Sequence, residues 1–127
     1  SEMCIRDRIL AVLEARCGLS FSTSEVYLNV AGGYRIADPA ADLAVAAALI
    51  SALSERPIPA DCVAFGEISL SGEVRTVSHA ALRLREASKL GFRKALLPVS
   101  VDSRESGMAL EGFSALRALV DHLLDRA

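Results

Sequence analysis

The chain is poor in the residues that carry most chemistry. It has only two histidines, His79 and His122, and three cysteines, Cys4, Cys17 and Cys62. The cysteines form no Cys-x-x-Cys pair, and histidine and cysteine never approach metal-ligand spacing, so no metal site is expected. An odd number of widely spaced thiols suits a reducing cytoplasm rather than a disulfide framework. No phosphate loop of the G-x-x-x-x-G-K-[ST] kind is present, so this segment is not expected to hydrolyse ATP alone. Gly32-Gly33 is too short for a dinucleotide fingerprint. No stretch reads as a signal peptide or a membrane anchor. Nor do cations dominate: Lys and Arg number 14 against 16 Asp and Glu, a net charge of −2, which excludes a strong basic field. Internal repeats and low-complexity tracts are absent as well.

What is present is apolar bulk and good helix punctuation. With 127 residues, of which 52% are hydrophobic, the chain suits one globular domain with a full core. Asp38 is a good N-cap for the amides of a first helical turn, and Pro39 suits the first helical position. Asp42 lies near the positive end of the helix dipole. The helix that follows is apolar on every side through Leu43, Val45, Leu49, Ile50 and Leu53, the mark of a buried helix. It is far too short to span a bilayer, which takes roughly 20 residues.

Elsewhere helices and strands alternate. Ile9, Val12 and Leu13 form a helical stripe ended by Gly18. Val26, Leu28 and Val30 alternate with Tyr27 and Asn29 as a strand, and Gly32-Gly33 opens a loop. A strand is expected from Cys62 to Leu70, then a tight turn at Ser71-Gly72-Glu73 and a strand through Val74 and Val77. His79 to Leu90 reads as an amphipathic helix with Ala80, Leu84 and Ala87 inward, stopped by Gly91. Lys94 to Pro98 is a short strand. Leu116, Leu119, Val120, Leu123 and Leu124 mark a last helix with Ser114 as its N-cap. The expected fold class is α/β (α+β), a mixed sheet with flanking helices.

The polar residues have ordinary readings beside catalytic ones. His122, among Asp121 and Asp125, suits a solvated surface. His79 could approach Asp42, yet a His–Asp pair without a nucleophile is no triad. Ser71 and Ser78 fall in turns, where serine bonds the backbone. Glu67, within an apolar stretch, calls for an arginine partner such as Arg35 or Arg75.

Two segments in combination carry more. Asp38-Pro39-Ala40-Ala41-Asp42 running into Leu43, and Phe65-Gly66-Glu67-Ile68-Ser69-Leu70-Ser71-Gly72-Glu73-Val74 followed by His79-Ala80-Ala81, resemble the proteolytic domain of Lon-type proteases. In that family a nucleophilic serine follows the proline and a lysine base lies beyond the Gly-Glu-Ile strand. The matching positions here are Ala40 and Ala81, so the resemblance implies a protease fold without its dyad, with Asp38, Pro39, Asp42, Gly66, Glu67 and Gly72 kept as structural residues. A helix N-terminus suits an oxyanion hole, but alanine has nothing to attack with. With Val30-Ala31-Gly32-Gly33-Tyr34-Arg35-Ile36 added, the nearest version of the pattern is the C-terminal Lon-protease-like domain of bacterial DNA-repair ATPases of the RadA (Sms) family.

That resemblance runs closely from Ile9 to Pro98 and loosely after it. It implies a piece of a longer protein whose zinc, ATP and magnesium sites lie in upstream modules, with no cofactor in residues 9–127. It further implies a cytoplasmic protein that forms a homo-oligomeric hexameric ring, binds DNA, works beside a recombinase filament and drives branch migration. Residues 1–8 do not match what precedes the domain in the family and read as a non-native leader, resembling translated adapter sequence. Other readings are the Lon-like N-terminal domain of ComM-like, magnesium-chelatase-related ATPases, a hydrolase with a displaced nucleophile, and a peptide-binding module using the old substrate groove. Arg83, Arg85, Lys89, Arg93 and Lys94 are the DNA-binding candidates, five cations within twelve residues. A solvated helix face partly neutralised by Glu86 is the alternative for them.

Overall fold

A computed structural model describes residues 4–19, 38–101 and 107–125. The expected strand around Val26–Val30, the glycine loop after it and Arg35 lie outside those residues. Four helices are described: α1 (Ile5–Cys17), α2 (Asp42–Ser54), α3 (Ala80–Lys89) and α4 (Leu116–Leu123). A 3-10 turn, Pro39–Ala41, leads into α2. The strands are β1 (Cys62–Ala64), β2 (Glu67–Ile68), β3 (Val74–Arg75), β4 (Lys94–Pro98) and β5 (Ala109–Phe113).

The α/β class is observed, but the described strands do not make one mixed sheet. β1, β4 and β5 form a parallel sheet in the order β1-β4-β5, while β2 and β3 form a separate antiparallel pair. The central strand β4 alternates across this sheet, as a two-residue period requires. Leu96 joins the core built by α1, α2 and α4. Ala95 and Leu97 join a smaller core with Phe65 and Leu84 of α3. Three helices therefore cover one face and α3 covers the other. A strand buried on both sides reads as a continuous apolar run, as Ala95 to Pro98 does.

The single strand expected from Cys62 to Leu70 is broken in two. Phe65 still bonds the parallel neighbour, its N–H donating to the Leu96 carbonyl at 3.1 Å. Gly66 then turns with φ +156°, and β2 leaves for the hairpin. A Cβ at Gly66 would stand 3.3 Å from Pro98 Cγ and 3.4 Å from Leu43 Cδ2, so the crossing needs a glycine.

Strand β5 has no counterpart among the expected elements. Ala109-Leu110-Glu111-Gly112-Phe113 has neither β-branched residues nor clean alternation, and its register on β4 comes from the parallel pairing of Leu96 with Glu111 and Leu97 with Gly112. Gly112 is small by necessity, since a Cβ there would lie 2.9 Å from Val99 Cα. At α4 the cap differs from the expected one: Ala115 is the N-cap residue and offers no side-chain bond. Ser114 is drawn instead to the hairpin, its carbonyl accepting from the Val74 N–H at 2.9 Å. The helix from Ile9 to Gly18, α2, the helix after His79 and the strand from Lys94 all form where expected, and Gly18 closes α1 in the left-handed region at φ +67°.

Candidate functional site

The start of α2 is where a hydrolase of this pattern would act, so its amides decide what it can do. Asp38 caps the turn as expected, Oδ1 accepting from the Ala40 N–H at 2.9 Å. The Ala41 N–H donates to the Asp38 carbonyl at 3.0 Å, and the Asp42 N–H to the Pro39 carbonyl. The Leu43 N–H donates to the Gly66 carbonyl at 3.0 Å, and the Gly66 N–H returns a bond to the Ala40 carbonyl at 2.9 Å. Four successive amides are thus committed inside the fold. The expectation that they could face a developing oxyanion is not met, because the glycine at the β1–β2 break occupies the last of them. Ala40 itself is 3% exposed, while Ala81 on α3 is exposed.

Asp42 is the one buried charged residue among those described, at 1% exposure. Its carboxylate receives a two-pronged contact from Arg8, Nη2 to Oδ1 and Nη1 to Oδ2, the latter at 3.1 Å. The Ile68 N–H adds a bond to Oδ2 at 2.9 Å, and Arg8 Nη1 also reaches the Ile68 carbonyl at 3.2 Å. A planar guanidinium matched to a carboxylate is the strong form of such a pair. The expected approach of His79 to Asp42 does not occur, since Arg8 and the Ile68 amide take both carboxylate oxygens and His79 is exposed. Sequence reasoning passed over Arg8, which lies in the segment set apart at the N-terminus. In the structure α1 runs through it from Ile5. The only signal was helical phase, since Arg8 lies one turn before Val12 of the inward stripe.

An open groove of about 760 Å³ lies over this pair, lined in part by Arg16, Glu67, Ser69, Leu70 and Arg75. Glu67 stands opposite Arg75 in the hairpin register, yet Arg75 makes its ion pair with Glu73, Nη2 to Oε2 at 3.4 Å. Glu67 is half-buried at the groove, and Arg35, the other arginine expected for it, lies outside the described residues. Ser71 falls in the turn as expected, but its hydroxyl meets side chains, 2.9 Å from that of Ser69, and it is the Ser69 hydroxyl that accepts from a backbone amide, the Glu73 N–H at 3.0 Å. His122 is exposed, edge-on to Phe113 with ring centroids 5.5 Å apart. The thiols of Cys17 and Cys62 are both pushed above the ordinary cysteine value, chiefly by burial, and a protonated thiol is a poor nucleophile.

A family model described as subunit ChlI of Mg-chelatase matches residues 4–100, well over half of the chain. The chain belongs to that family. Among characterised proteins, DNA repair protein RadA of Brucella abortus is 67% identical over 90 residues, which cover 71% of this chain and 19% of that protein. RadA of Rickettsia felis is 60% identical over 86 residues, 68% of this chain and 19% of that protein. RadA of Aquifex aeolicus is 44% identical over 115 residues, 91% of this chain and 26% of that protein. The chain is homologous to RadA, as the two sequence segments implied, and spans about a fifth to a quarter of these relatives' length.

Within this ChlI-family chain the five candidate cations separate into two kinds. Arg83 is committed: its Nη2 contacts Asp38 Oδ2 at 3.2 Å and its Nε donates to the Ser78 carbonyl at 3.1 Å. The same Asp38 therefore caps α2 and ties α3 to it. Lys94 begins β4 and is half-buried. Arg85, Lys89 and Arg93 are exposed, Lys89 with a loose contact to Glu86 at 3.6 Å. α3 also carries Leu82 and ends at Leu90, exposed by 46% and 77%, so it is not a purely polar surface. No helix among the described residues is long and apolar enough to cross a membrane.

Asp38 gives this site a pH dependence. The Ala40 amide, and after it Arg83, hold its carboxyl below the ordinary aspartate value. A depressed folded pKa adds stability above the unfolded value of about 3.9, lost as pH falls through the folded one. Asp38→Ala is expected to cost about 1 kcal/mol at neutral pH, an ordinary N-cap loss. The gap to wild type should narrow in acid, as pH falls through the lowered folded pKa. Urea titrations of both proteins at neutral and acid pH check this, and an equal gap at both would contradict it.

Proposed function

We propose that this chain is a proteolytically inactive Lon-like domain of a RadA-type DNA-repair ATPase, serving there as a ring-assembly scaffold and a contributor of DNA contacts. The observation that carries the inactive reading is the closed start of α2. Ala40 is buried, and the amides of Ala40, Ala41, Asp42 and Leu43 are all bonded within the fold. Loss of the serine and lysine alone would leave a repairable site. Loss of the free amides removes the oxyanion stabilisation, worth about 10²–10³ in turnover per donor in known hydrolases. Ala40→Ser with Ala81→Lys is accordingly expected to remain inactive on casein and fluorogenic peptides. Turnover by the double variant that a serine-directed inhibitor abolishes would overturn this.

Homology to the DNA repair protein RadA supports the DNA-repair assignment, and the exposed cations supply a means of contact. Arg85, Lys89 and Arg93 would meet phosphates, without base preference and with steep salt dependence. One copy is weakly placed to do this in an acidic chain, whereas six copies around a ring would sum to a field that one cannot make. ATP hydrolysis, with its magnesium and zinc, would belong to the rest of the parent protein, as would engagement of a recombinase filament. The test is Arg85→Glu, Lys89→Glu and Arg93→Glu together in the full-length parent, with DNA titrated across salt. The salt slope is expected to shrink by about one for each phosphate that a protomer no longer neutralises. Unchanged affinity and slope with the ring intact would assign these cations to solubility. A parent that stays monomeric in light scattering with nucleotide present would sink the scaffold role.

A further inference from the structure

We propose that Asp42 and Arg8 together take the place of a neighbouring strand on the outer edge of β2, closing the groove above Ile68 to strand addition by an extended peptide. A strand edge offers the N–H and C=O of alternate residues. In this hairpin the Ser69 N–H donates inward to the Glu73 carbonyl at 3.0 Å, so the backbone groups of Ile68 face outward. Both are taken. The Ile68 N–H donates to Asp42 Oδ2 at 2.9 Å, and the Ile68 carbonyl accepts from Arg8 Nη1 at 3.2 Å. Because Arg8 Nη1 also donates to that same Oδ2, the four groups close a ring. The pair offers one acceptor and one donor to one residue of the edge, which is what a residue of an added strand would offer.

The opposite edge is closed by the chain itself. The Val74 N–H donates to the Ser114 carbonyl at 2.9 Å, and the Leu116 N–H to the Gly72 carbonyl at 2.8 Å. Without the ion pair, β2 would therefore be the hairpin's one open edge among the described residues, facing a groove with Ser69, Ser71 and the 74%-exposed Leu70 at its lip. An extended peptide bound there by its backbone would need the two groups of Ile68 that Asp42 and Arg8 hold. The inference rests on the hairpin edge alone and stands whether or not α3 contacts DNA.

The test uses the 127-residue chain, with hydrogen exchange followed at the Ile68 amide and fluorescence anisotropy of labelled, unstructured casein-derived peptides. Wild type is expected to show a protected Ile68 amide and no peptide binding. Asp42→Ala is expected to speed exchange at Ile68 by about tenfold or more, and to bind the peptides at least about tenfold tighter than wild type. Asp42→Asn keeps an oxygen toward Ile68 and should stay closed to peptides. If Asp42→Ala does not fold, wild type and Asp42→Asn still decide: protection with silence toward peptides supports the strand cap. Wild type binding the peptides as tightly as Asp42→Ala, or exchanging its Ile68 amide at the rate of an unprotected one, overturns it.

Discussion

Replacing Arg8 by alanine is expected to destabilise the domain by about 3–5 kcal/mol, a large share of the roughly 5–15 kcal/mol that holds a typical domain folded. The reason is asymmetry of burial within one pair. The Asp42 side chain is 1% exposed, while that of Arg8 is 28% exposed. Removing the cation strands a carboxylate inside the fold with only the Ile68 amide for company. Removing Asp42 instead leaves a guanidinium with a route to solvent, and the main loss is the bond to the Ile68 amide, about 1–3 kcal/mol. Arg8→Met combined with Asp42→Leu strands neither charge and should lie closer to wild type than Arg8→Ala does. Urea midpoints at unchanged slope measure all three variants. Equal losses for the two single variants that simply add in the Arg8→Ala/Asp42→Ala double variant would show that the pair is not coupled.

The parts of the fold that were legible from sequence are those in which one segment carries its own signal. The inward stripe Ile9, Val12, Leu13, the Asp38-Pro39 helix start and the Leu116 to Leu124 spacing are local periodicities or caps, and each forms where expected. The misses depend on partners distant in sequence. β5 has little strand character of its own and exists because β4 offers it a parallel edge. The split between β1 and β2 is set by Gly66 turning to bond Ala40 and Leu43. The candidate site divides in the same way. The Ala40 and Ala81 positions and the Asp38 cap were readable as residue types in a pattern. That the amides around Ala40 are already consumed, and that Asp42 answers to Arg8 rather than His79, are facts of tertiary structure. Among the α3 cations, sequence could not distinguish Arg83, spent on Asp38, from Arg85 and Lys89, because that ion pair spans from α3 back to the turn before α2.

Leu116→Ala is expected to cost about 2–5 kcal/mol, whereas Leu90→Ala should stay within about 0.5 kcal/mol of wild type. The two leucines differ in burial, 0% against 77% exposed. Leu116 opens α4 and packs in the larger core with residues of α1 and α2, so truncation leaves a cavity with little freedom to collapse. Its backbone also anchors the hairpin through the N–H donated to the Gly72 carbonyl, next to the bridge between Glu73 and Ala115. Loosening the start of α4 should therefore reach the β2–β3 pair before the rest of the fold. Hydrogen exchange at Val74, which donates to Ser114, reports on that directly. The expected pattern for Leu116→Ala is a lower urea midpoint together with faster exchange at Val74 than at Leu96 of the central strand. A uniform acceleration across both sites would mean that the hairpin and the parallel sheet open as one unit, and the anchoring role given to Leu116 would be wrong.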